Sequence, residues 1–438
     1  MGASHPASYD TWQVPSKCRI WRSRGTGAVL IALLLTAACK QAALEDPTHP
    51  NSTLPDKIVV GATLPLTGAE ARIGGFYKEG YELAFEEASH KGGLLIGGRR
   101  VPVTLQLLDD ESSPAKAVSL AERLINVEKV NLLLGTYSTS LVQPQSAVAE
   151  KYRVPYVNGG GAATEIYHQG YRYVFGFLAP VELLADAILR WVHIQQKAGK
   201  LPRPSTIAVL WENTYHGKDF CKGVSQFVAT HSSDYKIVLD RSFELDTGDF
   251  SGLIKELQAA RADIVLADTH LPDYIKMQRE YVQAGICSKV LSYGARGPDK
   301  QASEVLGQKS VNYILSAVWW NHQLGSKGLT KHFVELFRTK FNRQPEWYQA
   351  LGYETVRILL TAIEQANSSD REAIRAKLSS LDVESILPGG RLTFYDEQVQ
   401  QAHYPFVVQQ NMPDGSSPIV YPLEVANSPG VVPNPDCK

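Results

Sequence analysis

From Lys57 onward the chain alternates between two hydrophobic patterns. Short, nearly continuous β-branched runs suit strands covered on both faces, and apolar residues recurring every three or four positions suit helices with one buried face. Ile58-Val59-Val60-Gly61-Ala62-Thr63-Leu64 is a run of the first kind; Tyr77, Tyr81, Ala84, Phe85 and Ala88 then recur at helical spacing until Gly92-Gly93. A strand is expected over 101–108, and Ser113 followed by Pro114 reads as the cap and first position of a helix to Val127. Strands at 130–134 and 154–157, with a helix between them to about Tyr152, complete the first series. A second series starts near Pro180 with a helix to about Gln196. It continues with strands at 206–211, 236–239, 263–267, 289–292 and 311–317 and helices at 217–229, 250–260 and 272–284. Helices at 329–341, 347–366 and 370–378 bring no strand series of their own, so they are expected to return to the first unit.

Strands separated by helices of this length imply βαβ units, hence mainly parallel sheets with helices on both faces. The expected fold is α/β: two doubly wound parallel-sheet lobes joined by a hinge that the chain crosses several times. Lobe one takes 56–178 and 319–398, and lobe two takes 179–318 and 399–438. Open α/β sheets bind ligands beyond the C-terminal ends of their strands, so the site is expected in the cleft between the lobes.

The N-terminal pattern is different. Arg19, Arg22 and Arg24 precede an apolar run over 28–35 and then Thr36-Ala37-Ala38-Cys39. A basic region, a short apolar region and small residues make an export signal, and the run is short for a permanent membrane span. Residues 1–38 therefore read as a signal peptide. Leu35-Thr36-Ala37-Ala38-Cys39 resembles the bacterial lipobox, which implies lipidation at Cys39. Residues 39–55, polar and without apolar period, read as a flexible tether. No later segment has the length and apolarity of a transmembrane helix. Membrane contact is thus expected through the lipid anchor only, with the body on the periplasmic or cell-surface face.

Composition adds exclusions. With 438 residues, 44% hydrophobic and 20% charged, the chain fits a globular protein of two or three domains. A formal charge of -1 offers no global field to gather nucleic acid. Beyond Cys18 and Cys39 there remain Cys221, Cys287 and Cys437, with no CxxC spacing; Cys221 and Cys287 could bridge, or the thiols stay free. Gly159-Gly160-Gly161 lacks phosphate-loop spacing, no HExxH is present, and Ser138 lacks a G-x-S-x-G setting. Asp109-Asp110-Glu111 fits a strand end ahead of the Ser113 cap. No catalytic, metal or cofactor constellation emerges, and the chain is read as a binding protein, not an enzyme.

Segments 61–68, 80–93, 135–139, 160–164 and 390–396, taken in that order, resemble the type I periplasmic binding proteins, specifically the branched-chain amino acid (Leu/Ile/Val) receptor family of ABC transporters. Gly61-Ala62-Thr63-Leu64-Pro65-Leu66-Thr67-Gly68 resembles the family's first strand and turn, and 80–93 its helix ending in Gly-Gly. Gly135-Thr136-Tyr137-Ser138-Thr139 and Gly160-Gly161-Ala162-Ala163-Thr164 resemble the two loops that hold a ligand carboxylate. Gly390-Arg391-Leu392-Thr393-Phe394-Tyr395-Asp396 resembles a late segment before the closing strand at 404–410. The resemblance implies that Ser138, Thr139, Gly161, Ala162, Ala163 and Thr164 cradle the ligand with hydroxyls and amides, while Tyr215 covers it from lobe two. Three positions depart from the pattern: Ile73 and His270 stand where tyrosines are common, and Arg296 where an acid usually takes the α-ammonium. An arginine there would fork onto a second anionic or carbonyl group. Trp320, in the Trp319-Trp320 pair, is counted with the cleft. The implied function is capture of a small amino acid-like solute, organic acid or amide for an inner-membrane ABC permease, without cofactor. The alternative is an envelope sensor or regulatory lipoprotein of the same fold.

Overall fold

The computed structural model describes residues 54–325, 327–396 and 399–437. The expected signal peptide, the expected lipidation site Cys39 and most of the expected tether lie outside the described residues.

The apolar runs form two large sheets, beside a small hairpin of Leu94–Ile96 and Arg99–Val101. From edge to edge, the eight-stranded sheet contains Asp382–Glu384, Arg391–Asp396, Val399–Ala402, Val174–Gly176, Tyr156–Asn158, Leu132–Leu134, Ile58–Leu64 and Val103–Asp109. Pairing is parallel from Val399–Ala402 onward and antiparallel among the first three strands. The seven-stranded sheet runs Ile419–Tyr421, Val407–Gln410, Leu315–Val318, Val290–Ser292, Ile264–Asp268, Ser205–Glu212 and Tyr235–Phe243. Its last five strands are parallel and the first two pair antiparallel. The central strands are buried on both faces, Ile264–Asp268 along its whole length, as parallel sheets covered by helices require.

The chain passes between the sheets after Val174–Gly176, after Leu315–Val318 and after Val399–Ala402. The last passage corrects the expected boundary at 399. Gln401 pairs with Gly176, and its side-chain amide donates to the carbonyls of Ala162 (2.9 Å) and Leu178 (3.0 Å), which holds this strand on the first sheet. The helix Trp347–Ala366 packs on Ala71–His90. Close approach there depends on Gly80, where an added Cβ would lie 2.4 Å from the Gln349 carbonyl oxygen.

Helix starts follow the sequence signals. Ser113 accepts from the Lys116 amide with Pro114 at the first position, and Thr214 accepts from the Gly217 amide to start Tyr215–Thr230. Asp109 and Asp110 are structural. Asp109 accepts from the Leu66, Thr67 and Glu111 amides, and buried Asp110 accepts from the Thr63 and Thr136 hydroxyls. Cys287 bridges Cys437, with Cα atoms 5.2 Å apart, and Cys221 is free. The sulfur pairing considered from sequence, Cys221 with Cys287, is therefore not the one formed.

Candidate functional site

The strand ends of both sheets meet at a small cavity. Ser138 and Thr139 follow Leu132–Leu134, Gly160 and Ala162 follow Tyr156–Asn158, and Leu178 follows Val174–Gly176. Glu212, His216, Asp268, Thr269, His270, Ala295 and Arg296 come from the second sheet's strand ends and the loops and helix start beyond them. Trp319 and Trp347 close the remaining side. The enclosed space is about 20 Å³, which is room for a water-sized guest. A metabolite fits only if the walls move apart.

Two tight features aim the second sheet's side chains. An added Cβ at Gly217 would lie 2.1 Å from the Glu212 carbonyl oxygen, so the helix can start directly beneath the strand end and present His216 to the cavity. Gly294, at φ +57°, would place a Cβ 2.6 Å from Asp268 Oδ1, and its turn delivers Arg296.

The second sheet's rim is charged and almost dry. Glu212 is fully buried and accepts from the His270 amide (3.0 Å), His270 Nδ1 (2.6 Å) and the Thr214 hydroxyl (2.8 Å). Burial works against a charge on either partner, yet the mutual attraction and hydrogen bond win. The Glu212 carboxyl is held well below the usual carboxylate range, and His270 is held up at about 9. His216 Nδ1 donates to Asp268 Oδ2 at 2.7 Å.

Arg296 is 7% exposed. Its guanidinium donates to the phenol oxygens of Tyr348 (2.6 Å) and Tyr137, and the rings of Tyr137, Trp347 and Tyr348 lie 5.5 to 5.9 Å from its central carbon. Among the described residues no carboxylate pairs with it within 4.0 Å. A buried cation held by neutral oxygens alone is costly, and five N–H donors exceed the partners it has.

Several contacts bridge the two rims, among them His270 Nε2 to Glu70 Oε1 at 3.9 Å. His270 Nε2 reaches Ser138 Oγ at 3.1 Å, Arg296 reaches Tyr137 and Tyr348, and Asp219 accepts from the Thr164 amide (2.8 Å) and hydroxyl (3.0 Å). The order Ser138, His270, Glu212 has the outline of a nucleophile, base and orienting acid. The charge state is wrong for that chemistry. Glu212 keeps His270 protonated up to about pH 9, so at neutral pH its Nε2 donates to Ser138 and cannot take the serine proton. Glu212, His216 and Asp268 also offer ligand atoms within 4.8 Å of one another. To share a cation they would give up the His216–Asp268 and His270–Glu212 hydrogen bonds, in which the two acids and two histidines already satisfy one another.

Of the residues singled out from sequence, Ser138, Thr139, Ala162, His270 and Arg296 line this cavity. The others do not. Tyr215 is 42% exposed, with Lys218 over its ring, because it occupies the outward position of the helix's first turn while His216 takes the inward one. Ile73 is buried in the core of the first sheet. Gly161 turns its amide to Asn158 and its carbonyl to Tyr167, Ala163 is buried beside it, and Thr164 is committed to Asp219. Trp320 packs edge-on against Phe333 and lines a different cavity. Sequence reasoning missed Tyr137, Glu212, His216, Asp268, Thr269, Trp319 and Trp347 as lining residues. Glu212 and Asp268 did carry a signal: each is an acid that ends an apolar parallel strand, at the edge where such sheets bind ligands.

The profile of the periplasmic binding protein family matches residues 57–416. The chain belongs to that family. Among its relatives, Leu/Ile/Val-binding protein homolog 7 of Brucella suis biovar 1 (strain 1330) is 26% identical over 378 residues, covering 85% of this chain and 93% of the relative. The leucine-binding protein LivK from Thermotoga maritima MSB8 shares the fold with a TM-score of 0.71 at 23% identity, covering 86% of this chain and 99% of that one. A solute-binding protein of an ABC transporter from R. palustris, in complex with benzoate, has a TM-score of 0.68 at 19% identity, covering 83% and 95%. The two-lobed architecture of this periplasmic binding protein is thus the type I fold of its Leu/Ile/Val-binding relatives. Among the described residues no helix is long and apolar enough to cross a membrane.

Proposed function

We propose that this periplasmic binding protein is the exported, non-enzymatic receptor of an ABC transporter, that it closes its two lobes over a small carboxylate-bearing solute, and that it delivers this solute to a permease. The observation that carries the reading is Arg296, a buried guanidinium without a carboxylate partner among the described residues, facing the hydroxyls of Ser138 and Thr139 across one narrow cavity. Thr139 Oγ1 is itself buried with no hydrogen-bond partner among the described residues. A carboxylate placed between them satisfies the hydroxyl and the guanidinium together, and replaces phenol contacts with charge-assisted ones. The acids Glu212 and Asp268, with their histidines, then meet the rest of the solute and suit an ammonium or hydroxyl group. Relatives and neighbours named for leucine, isoleucine or benzoate support this class.

In this reading lobe one comprises the first sheet with the helices of 328–379, lobe two the second sheet, and closure is a hinge movement about the three crossings. Lipidation at Cys39 would tether the body to the membrane beside the permease. Calorimetric titration of the purified protein with amino acids, aliphatic acids, aromatic acids and amides tests the proposal. Saturable binding is expected for members carrying a carboxylate; heat from the amides alone, or from none of the classes, would overturn it.

A further inference from the structure

The two lobes also meet at the start of the helix Ala71–His90, outside the lining of the first cavity, that of Ser138 and Arg296. Glu70 holds the cap position of this helix, yet its carboxylate makes no capping bond to it. The backbone here is fixed to the first sheet. The Glu70 amide donates to Ser112 Oγ (3.1 Å), the Ser112 hydroxyl donates to the Thr67 carbonyl (2.8 Å), and Asp109 accepts from the Thr67 amide and hydroxyl. The Glu70 carboxylate crosses instead to the second lobe, where its Oε1 lies 3.9 Å from His270 Nε2, with the two side chains 11% and 8% exposed. Arg72, two residues on, crosses with the opposite sign. Its Nε lies 4.0 Å from Asp299 Oδ1 and its Nη1 lies 3.8 Å from Glu304 Oε2.

The partners on the second lobe are fixed as well. Glu212 accepts from the His270 amide and Nδ1, and Asp299 accepts from the Gln301 amide as the cap of the helix Lys300–Leu306. Each side is thus ordered before the two meet, so pairing takes little further freedom from the side chains, the loss that cancels most exposed ion pairs. Burial ranks the two crossings. Arg72 and Glu304 are 36% and 62% exposed, where such a pair contributes little, whereas Glu70 and His270 face each other nearly out of solvent, where opposite charges are least screened. All three separations are about 1 Å longer than a direct charge-assisted hydrogen bond, so the attraction acts during the last step of closing. We infer, on the hinge closure proposed above, that Glu70 is the residue by which lobe one latches lobe two: a positioning residue that acts through His270 and favours the closed arrangement, with Arg72 as a weaker second point. Because Glu70 works on the lobes and not on the solute, it raises the closed fraction and with it the apparent affinity for every solute alike. Arg296, by contrast, tells an acid from its amide.

The latch is tested with Glu70→Gln, which keeps the shape of the side chain and removes its charge. Closure is read as the distance between spin labels at Val127→Cys and Val282→Cys, two exposed positions on opposite lobes, in a Cys221→Ser background. Without solute, the ratio of closed to open molecules is expected to fall roughly three- to tenfold in Glu70→Gln, at or above the upper end for exposed pairs, and less than about threefold in Arg72→Gln. In calorimetry, the affinities for a binding acid and its amide should fall by one common factor in Glu70→Gln, with their ratio unchanged. As pH rises through about 9, where His270 gives up its proton, the wild-type lobes should part, and Glu70→Gln should respond less. The other charges facing His270, Glu212 and Arg296, belong to its own lobe and do not draw the lobes together through it. Unchanged distances and affinities in Glu70→Gln would overturn the assignment. So would a change confined to the acid, which would make Glu70 a contact of the solute. A wild type that binds none of the solutes, but whose lobes part in Glu70→Gln, would uphold the latch and overturn the receptor reading.

Discussion

The two rims of the first cavity are built from opposite chemistry. The first sheet contributes hydroxyls, a phenol and backbone on glycine and alanine, whereas every ionisable acid, histidine and arginine of the cavity comes from the second sheet. The uncharged rim can receive a carboxylate without a fixed counter-charge, a task that asks only for oriented donors. On the charged rim Glu212 pairs with His270 and Asp268 accepts from His216, while Arg296 has no carboxylate within 4.0 Å among the described residues. Under the proposed function, this difference would make lobe one a general cradle and leave lobe two to decide which solute is taken.

The comparison can be broken most forcefully at Glu212. Glu212→Gln leaves His270 buried without its counter-ion, and loss of one partner from a buried pair costs about 3–5 kcal/mol. Urea unfolding should show that loss, while Ser138→Ala on the neutral rim should cost no more than about 1.5 kcal/mol. Equal losses would erase the asymmetry.

A pH series sharpens the same contrast. His270 is held at about 9 against an ordinary 6.5, so the folded protein binds this proton more tightly than the unfolded chain. Its contribution is complete below about pH 6.5 and is lost as pH rises through 9. Stability measured from pH 6 to 10 should therefore fall across that window, and the fall should be much smaller in Glu212→Gln, where Glu70 is the carboxylate left beside His270. The smallest effect is expected at Tyr215. As an exposed ring outside the cavity, its replacement by alanine should shift both stability and solute affinity by less than about 0.5 kcal/mol, measured by unfolding and calorimetry.

Much of the fold was legible because burial on both faces forces continuous apolar runs. Ile58–Leu64 was read to the residue, and the helices of 329–341, 347–366 and 370–378 closely match those formed. Val174–Gly176 was missed because three residues carry no period, and Val399–Ala402 was given to the wrong sheet because its pairing depends on Gln401 reaching across to Ala162 and Leu178. The site was legible in part. Ser138 and Thr139 follow a strand directly, so a local motif locates them. Glu212, Asp268 and Arg296 meet only after three parallel strands are set in order, and Tyr215 and His216 differ by one residue on a helix turn that sequence cannot orient. The bridge between Cys287 and Cys437 spans a sequence separation of 150 residues and follows from where the last segment lies on the second sheet, which no spacing rule reveals.

The most direct measurement is a paired titration of an acid that binds and its primary amide against the wild-type protein and Arg296→Met. In the wild type the acid should bind roughly tenfold to a hundredfold more tightly than the amide, as expected for a hydrogen-bonded charge, and in Arg296→Met that preference should largely disappear. Equal affinity of acid and amide for the wild type, or a preference that persists undiminished without Arg296, would contradict the account.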